Sequence, residues 1–293
     1  MNLDVVAGTD GSEASMRAAE WAAHEAALRG ASLRVLSVPA LPSLLAWNMM
    51  PLETPEDRAD EIIRAARQSV AKAAARAAGA EPGLQVIPEV RSGVPGQVLS
   101  DLAASAAMVV VGSRGHGGFA ALVLGSVSRY VAFEAPYPVV VTCGESAVPH
   151  HEIVVGLSGR AQSEALSFAF EEAELRRARL HAVHAWPALL PEPAGAARRE
   201  RDFGGTSSRV ARWLAELLGP WRQKYPGVEV TVDIVHAVPG HVLVSMSARA
   251  GLIVLGRSGG ESANRRRTAP VAHSVLSHAE CPVAIIPEGP FRP

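Results

Sequence analysis

Lysine is nearly missing from this chain. Of 28 basic side chains among 293 residues, only Lys72 and Lys224 are lysines, and each sits inside a helix-like stretch. A phosphate loop of the Walker type needs a lysine directly after its glycines, so that loop is excluded. Cysteine is as scarce: Cys143 and Cys281 are too few for a disulfide framework or a thiolate metal site. Excess charge is missing too, with 29 acidic residues against the 28 basic ones and a net charge of −1. A protein that binds nucleic acid through its overall field is strongly basic, so no nucleic-acid partner is expected. The apolar runs stop far short of a bilayer span, and Asp4 stands where a secretory leader carries basic residues. The expected setting is cytoplasmic, with no membrane.

What is present is a core's worth of apolar residues, and it is present twice. Hydrophobic residues make up 48% and charged residues 19%, and the length suits two domains of roughly 150 residues each. Val94-Pro95-Gly96-Gln97-Val98-Leu99 returns 144 residues later as Val238-Pro239-Gly240-His241-Val242-Leu243. At the same offset Val109-Val110-Val111-Gly112 matches Ile253-Val254-Leu255-Gly256, and Pro138–Val141 matches Pro282–Ile285. Near the start of each copy the offset is 148, where Val5-Val6-Ala7-Gly8 meets Ile153-Val154-Val155-Gly156. The period is too long for a solenoid unit and implies a duplicated domain. The joint falls in the short polar segment Gly144 to His151, giving domains 1–146 and 147–293.

Within each copy, short apolar runs alternate with longer helical ones. In the first, Leu3–Gly8, Leu33–Val38, Leu84–Val90, Met108–Gly112 and Val139–Thr142 read as strands. Ser12–Leu28, Glu56–Ala78, Gln97–Ala106 and Ser126–Phe133 read as helices, with Ser12 as an N-cap and Gly30 just past the end. Strands that are apolar throughout, alternating with helices, predict an α/β fold with a parallel sheet covered on both faces. The right-handed crossover rule makes a doubly wound arrangement the plainest topology. The second copy repeats the order, with a Pro/Gly/Arg-rich insertion around residues 187–205.

The chemistry is concentrated after the fourth strand. Gly112-Ser113-Arg114-Gly115-His116-Gly117-Gly118 is followed by an apolar stretch and then Gly125-Ser126-Val127-Ser128. Four glycines in seven residues allow a tight turn, close approach to a ligand and exposed N–H groups. Gly125-Ser126 opens a helix whose free amides and positive end suit phosphate, and Ser126 and Ser128 add hydroxyl donors. The run Gly115-x-Gly117-x-x-Ala120 is not a dinucleotide fingerprint, which belongs after the first strand of its unit.

Gly112-x2-Gly115-x9-Gly125-Ser126 resembles the G-x2-G-x9-G-(S/T) signature of the ATP-binding branch of the universal stress protein family. Val5-Val6-Ala7-Gly8-Thr9-Asp10-Gly11-Ser12 is similar to that family's opening strand and turn, and the resemblance covers the chain as two tandem copies. It implies that each domain is a five-stranded parallel sheet in the order 3-2-1-4-5, with helices on both faces. The first and fourth strands are then neighbours, and their carboxyl ends form a switch point where a ligand fits. The resemblance further implies ATP, with a divalent cation (Mg or Mn) whose ligands no acidic cluster identifies. Gly8 and Asp10 would lie at the ribose, Val38 at the adenine, Gly112 to Gly118 around the ribose and first phosphate, and Gly125 to Ser128 on the outer phosphates. It also implies a homodimer and a regulatory stress-response role, with no catalytic residues and at most weak ATP hydrolysis. A slow ATPase or adenylyl-transfer enzyme, and a scaffold with vestigial sites, are the alternatives.

The second copy departs from the signature. Ser158 replaces Asp10, Ala269-Pro270 replaces Gly125-Ser126, and Ala272 replaces Ser128. Proline removes a backbone donor and two hydroxyls disappear, so a single competent site in the first copy is expected. Arg265-Arg266-Arg267 reads as a solvated basic loop, and Trp47-Asn48-Met49-Met50 as core packing. His181-x2-His184 has zinc-like spacing, but residues three apart on a strand face opposite sides and cannot share a metal.

Overall fold

The computed structural model describes residues 4–39, 55–104, 106–115, 124–144, 151–158, 162–186, 200–257 and 265–289. They divide into two compact units, one ending at Cys143 and the other starting at Gly144. Each unit is a parallel five-stranded sheet with helices on both faces.

The first unit runs β1 (Asp4–Gly8), α1 (Glu13–Arg29), β2 (Leu33–Ser37), α2 (Pro55–Ala80) and β3 (Val86–Val90), then α3 (Pro95–Ser100), a 3₁₀ turn (Asp101–Ala104), β4 (Ala106–Gly112), α4 (Ser126–Glu134) and β5 (Val139–Thr142). Strand pairing gives the order 3-2-1-4-5. Val5, Val6 and Ala7 of the central strand are fully buried. The edge strand β3 carries exposed Ile87 and Pro88, a place where proline removes no needed ladder bond. The helix α1 packs on α2, and α3 on α4, so the two pairs lie on opposite faces where the direction of winding reverses.

Helix α1 begins and ends as its sequence predicts. Ser12 caps it, accepting from the Ser15 amide at 3.3 Å, and Gly30 closes it in the left-handed region at φ 60°. Its inner face is alanine, with Ala18, Ala19, Ala22, Ala23 and Ala26 all fully buried, which lets the helix lie close to the strands. Boundaries elsewhere differ from the sequence expectation by a few residues. The expected helix over 97–106 is instead a short helix, the 3₁₀ turn and the start of β4, because the buried Ala106 already belongs to the sheet.

The second unit repeats the scheme as β6 (Glu152–Leu157), α5 (Ser163–Arg176), β7 (Arg179–Trp186), α6 (Glu200–Lys224), β8 (Val230–His236), α7 (Pro239–Ser247), β9 (Leu252–Arg257), α8 (Arg265–His278) and β10 (Val283–Pro287). Its sheet order is 8-7-6-9-10, the same topology. Duplication extends to close pairs of polar side chains. A fully buried Glu25 pairs with Arg29 in α1, and a fully buried Glu172 with Arg176 in α5. Arg34 of β2 reaches Glu89 of β3 at 2.8 Å, and His181 of β7 reaches Asp233 of β8 at 2.9 Å. No described helix is long and apolar enough to cross a membrane.

The Arg34–Glu89 pair sets a testable acid sensitivity. Burial alone would raise the Glu89 carboxyl, but hydrogen bonds from Arg34 and Arg91 outweigh it and hold it below its ordinary value of 4.5. A carboxylate depressed in the folded state contributes stability that is complete above pH 4.5 and is lost as pH falls through the lower, folded value. Glu89→Gln is expected to be less stable than wild type at pH 7, with the gap narrowing below pH 4.5, read from urea midpoints. Parallel pH profiles for the two proteins would contradict this.

Candidate functional site

The carboxyl ends of β1, β2 and β4 in the first unit open into a cavity of about 700 Å³, within the usual range for small-molecule sites. It lies at the switch point, where the chain leaves β1 toward α1 and leaves β4 toward the opposite face. One wall is the turn Gly8-Thr9-Asp10, another is Ser37-Val38-Pro39, and a third is β4 with its following loop. The floor toward α2 is Ile62, Ala65, Ala66 and Ser69.

The turn after β1 is held from within. Gly11 takes φ 89°, and the Ser12 amide donates to Asp10 Oδ1 at 3.0 Å. Thr9 and Ser15 share a hydroxyl–hydroxyl hydrogen bond of 3.0 Å. The other Asp10 oxygen, Oδ2, lies directly over Gly115, and a Cβ at that position would collide with it. Strand β1 thus ends at Gly8, and Asp10 sits two residues beyond it in the turn. The glycine loop is drawn to the same place, since Ser12 Oγ donates to the Arg114 carbonyl at 3.4 Å.

At the far side, the loop returns to the helix α4. The Gly125 amide donates to the Ser113 carbonyl at 2.8 Å, and the Ser113 amide donates to the Thr142 carbonyl at 3.1 Å. Gly125 is the N-cap of α4 and supplies no side-chain cap. The first-turn amides of α4 therefore end at the cavity wall without an intrahelical acceptor, at the positive end of the helix dipole. Gly125 has φ −66° and ψ 152°, open to any residue, and an added Cβ would meet nothing closer than 3.5 Å among the described residues. Nothing among the described residues requires glycine there. Gly112 is the opposite case: a Cβ would stand 2.7 Å from the Ala14 carbonyl carbon, so close packing of β4 on α1 demands glycine.

Of the residues expected from sequence, Gly8, Asp10, Val38, Gly112, Arg114, Gly115 and Gly125 to Ser128 all line this cavity. Ser113 is placed differently, with its backbone engaged on both sides in holding the loop. Ser128 is buried and donates to the Gly112 carbonyl at 2.6 Å, so its hydroxyl fastens α4 to β4 rather than standing ready for a ligand. His116, Gly117 and Gly118 lie outside the described residues, as do Trp47 to Met50. Sequence reasoning passed over Ser15, Ser37 and the α2 residues, which carry no motif and are located only by the fold. No group of three or more metal-ligating side chains occurs among the described residues. His181 is bonded to Glu152 at 2.7 Å and His184 to the Leu157 carbonyl at 2.8 Å, so the two histidines serve separate contacts.

The model of the universal stress protein family matches residues 1–142 and again 150–287. The chain belongs to the universal stress protein family. It is 35% identical over 295 residues to the universal stress protein Rv2005c of Mycobacterium tuberculosis, covering 96% of each chain. It is 32% identical over 289 residues to a universal stress protein of Mycolicibacterium smegmatis, again covering 96% of each. The crystal structure of a universal stress protein from Archaeoglobus fulgidus has the same fold, with a TM-score of 0.69, 21% identity and coverage of 99% of this chain and 98% of that one. This universal stress protein is thus a tandem pair of the family's domains.

Cys143, just beyond β5, lies under the loop anchored at Thr142. Burial pushes its thiol up to about 12, against a smaller opposing pull from Arg114. The nucleophile is the thiolate, so the folded protein should resist iodoacetamide at Cys143 at pH 8 and react there only after denaturation, as read by peptide mass. Labelling at the rate of an unfolded cysteine would contradict the packing described.

Proposed function

We propose that the first unit binds an adenine nucleotide, ATP foremost, and that this universal stress protein works as a nucleotide-responsive regulator. The observation that carries the reading is the uncapped amino end of α4 at the cavity, behind a glycine that packing among the described residues does not need. Amides at a helix start, with the dipole behind them, favour phosphate. Arg114 adds a cation to the same wall, and Ser126 an exposed hydroxyl. The family resemblance of the Gly112-x2-Gly115-x9-Gly125-Ser126 spacing supports the same assignment.

In this reading the base lies between Val38 and the α2 floor of Ile62, Ala65 and Ala66. Asp10, held by the Ser12 amide, accepts from the ribose hydroxyls. The phosphates run past Arg114 and Gly115 to the start of α4. Asp10 is the one carboxylate among the described lining residues, so a Mg or Mn ion would arrive on the phosphates rather than in a protein cage. In this reading Asp10 is committed to the ribose hydroxyls rather than to proton transfer, and the function is binding rather than turnover. The second unit, without the Asp10 and Gly125-Ser126 counterparts, is proposed not to bind.

Gly125→Ala puts one methyl group on the wall where phosphate would approach, without crowding any described residue. Its ATP affinity should fall about tenfold, about 1.4 kcal/mol, with an unchanged melting temperature in the absence of ligand. Calorimetric titration and a thermal melt check both. Full ATP affinity in the variant would overturn the site, and ADP or AMP accumulating over many turnovers would overturn the regulatory reading in favour of an enzyme.

A further inference from the structure

Strand register fixes which residues of the two units correspond. Gly8 pairs with Leu36 and Val111, and Gly156 pairs with Val183 and Leu255, so Ser37 corresponds to His184. The turn after the second helix fixes the next pair. Glu81 donates to Ala77 and accepts from Leu84, just as Tyr225 donates to Trp221 and accepts from Val228. Ser69 of α2 therefore corresponds to Trp213 of α6. In the first unit, Ser37 and Ser69 both line the cavity. In the second, His184 and Trp213 meet across that place, with ring centroids 5.2 Å apart and an edge-on tilt of 69°. His184 also folds back over β6, with Nδ1 2.8 Å from the Leu157 carbonyl.

The ribose end is filled as well. By the spacing of the Glu25–Arg29 and Glu172–Arg176 pairs, Gln162 stands where the first unit has Ser15, which lines the cavity; Gln162 is 1% exposed and accepts from the Ser158 amide at 3.0 Å. Its amide nitrogen lies 3.0 Å from where a Cβ on Gly256 would sit. Ser158 is the counterpart of Asp10, so the turn that would meet a ribose is bonded to the chain itself.

We infer that the second unit carries its own occupant: Trp213 and His184 fill the base end of its cleft and Gln162 its ribose end. These three side chains decide that only the first unit takes a nucleotide. The inference rests on reading the first unit's cavity as a nucleotide site. It adds that the second cleft is blocked by its own side chains, beyond merely lacking groups to hold phosphate. Two aromatic rings and a buried amide stand in place of three serines, and together they exclude a base and its ribose.

The test uses the full chain, 8-azidoadenosine as a photoaffinity probe, and peptide mapping of the labelled sites. Because the probe has no phosphates, it reads the base and ribose ends alone. Wild type should be labelled on first-unit peptides only. The double variant His184→Ser, Trp213→Ser should acquire label on second-unit peptides, competed by adenosine. Label on the second unit of wild type would overturn the inference. So would a double variant that keeps its near-ultraviolet dichroism and is labelled on the first unit alone. If the double variant does not fold, Trp213→Ser alone is read by the same outcomes. A wild type labelled on neither unit would count against the first-unit reading, while second-unit label in the variant would still support this one.

Discussion

Where β4 leaves the first sheet, Gly112 lies so close to the first turn of α1 that a methyl group would stand 2.7 Å from the Ala14 carbonyl carbon. That approach brings the carboxyl ends of β1 and β4 under the start of α1, and the neighbouring hydrogen bonds follow from it. Ser12 can cap α1 and also reach the Arg114 carbonyl. Asp10 can bond the Ser12 amide while its other oxygen covers Gly115. Ser128 can tie α4 to the Gly112 carbonyl. A wider spacing would leave the turn and the loop as separate surface segments rather than two walls of one cavity.

The same frame in the second unit ends differently because three positions that are small in the first unit are large there. Gly256 keeps the counterpart of Gly112, but its neighbour is the Gln162 side chain rather than helix backbone. Ala272 replaces Ser128, so the hydroxyl that fastens helix to strand is gone. These exchanges lie around the cleft, at the N-cap of α5, on α6 and α8 and near the end of β7, while Ile153, Val154 and Val155 remain fully buried in the central strand. Duplication preserved the sheet while the residues at the cleft changed.

Much of this was legible in the chain itself. Continuous apolar runs marked the buried parallel strands, and the paired segments 144 residues apart marked the duplication. The glycine spacing located the loop, since close approach and a bare helix start both need residues without side chains. Ser128 lines the cavity as its position in the motif suggests, but that its hydroxyl also donates to the Gly112 carbonyl is visible only in the fold. Ile62, Ala65 and Ser69 were hidden in a long alanine- and arginine-rich helix that has no local signature. His184 and Trp213 could not be matched to Ser37 and Ser69 by one fixed offset. The spacing between copies is 147 at β2 and 144 at α2, and hydrogen-bonded register is what resolves it.

The central claim is a functional asymmetry between two units of one topology: the first binds and the second is self-filled. Native mass spectrometry of the intact protein with saturating ATP and magnesium counts bound nucleotides per chain directly. The account predicts one. Two per chain, or none, would contradict it.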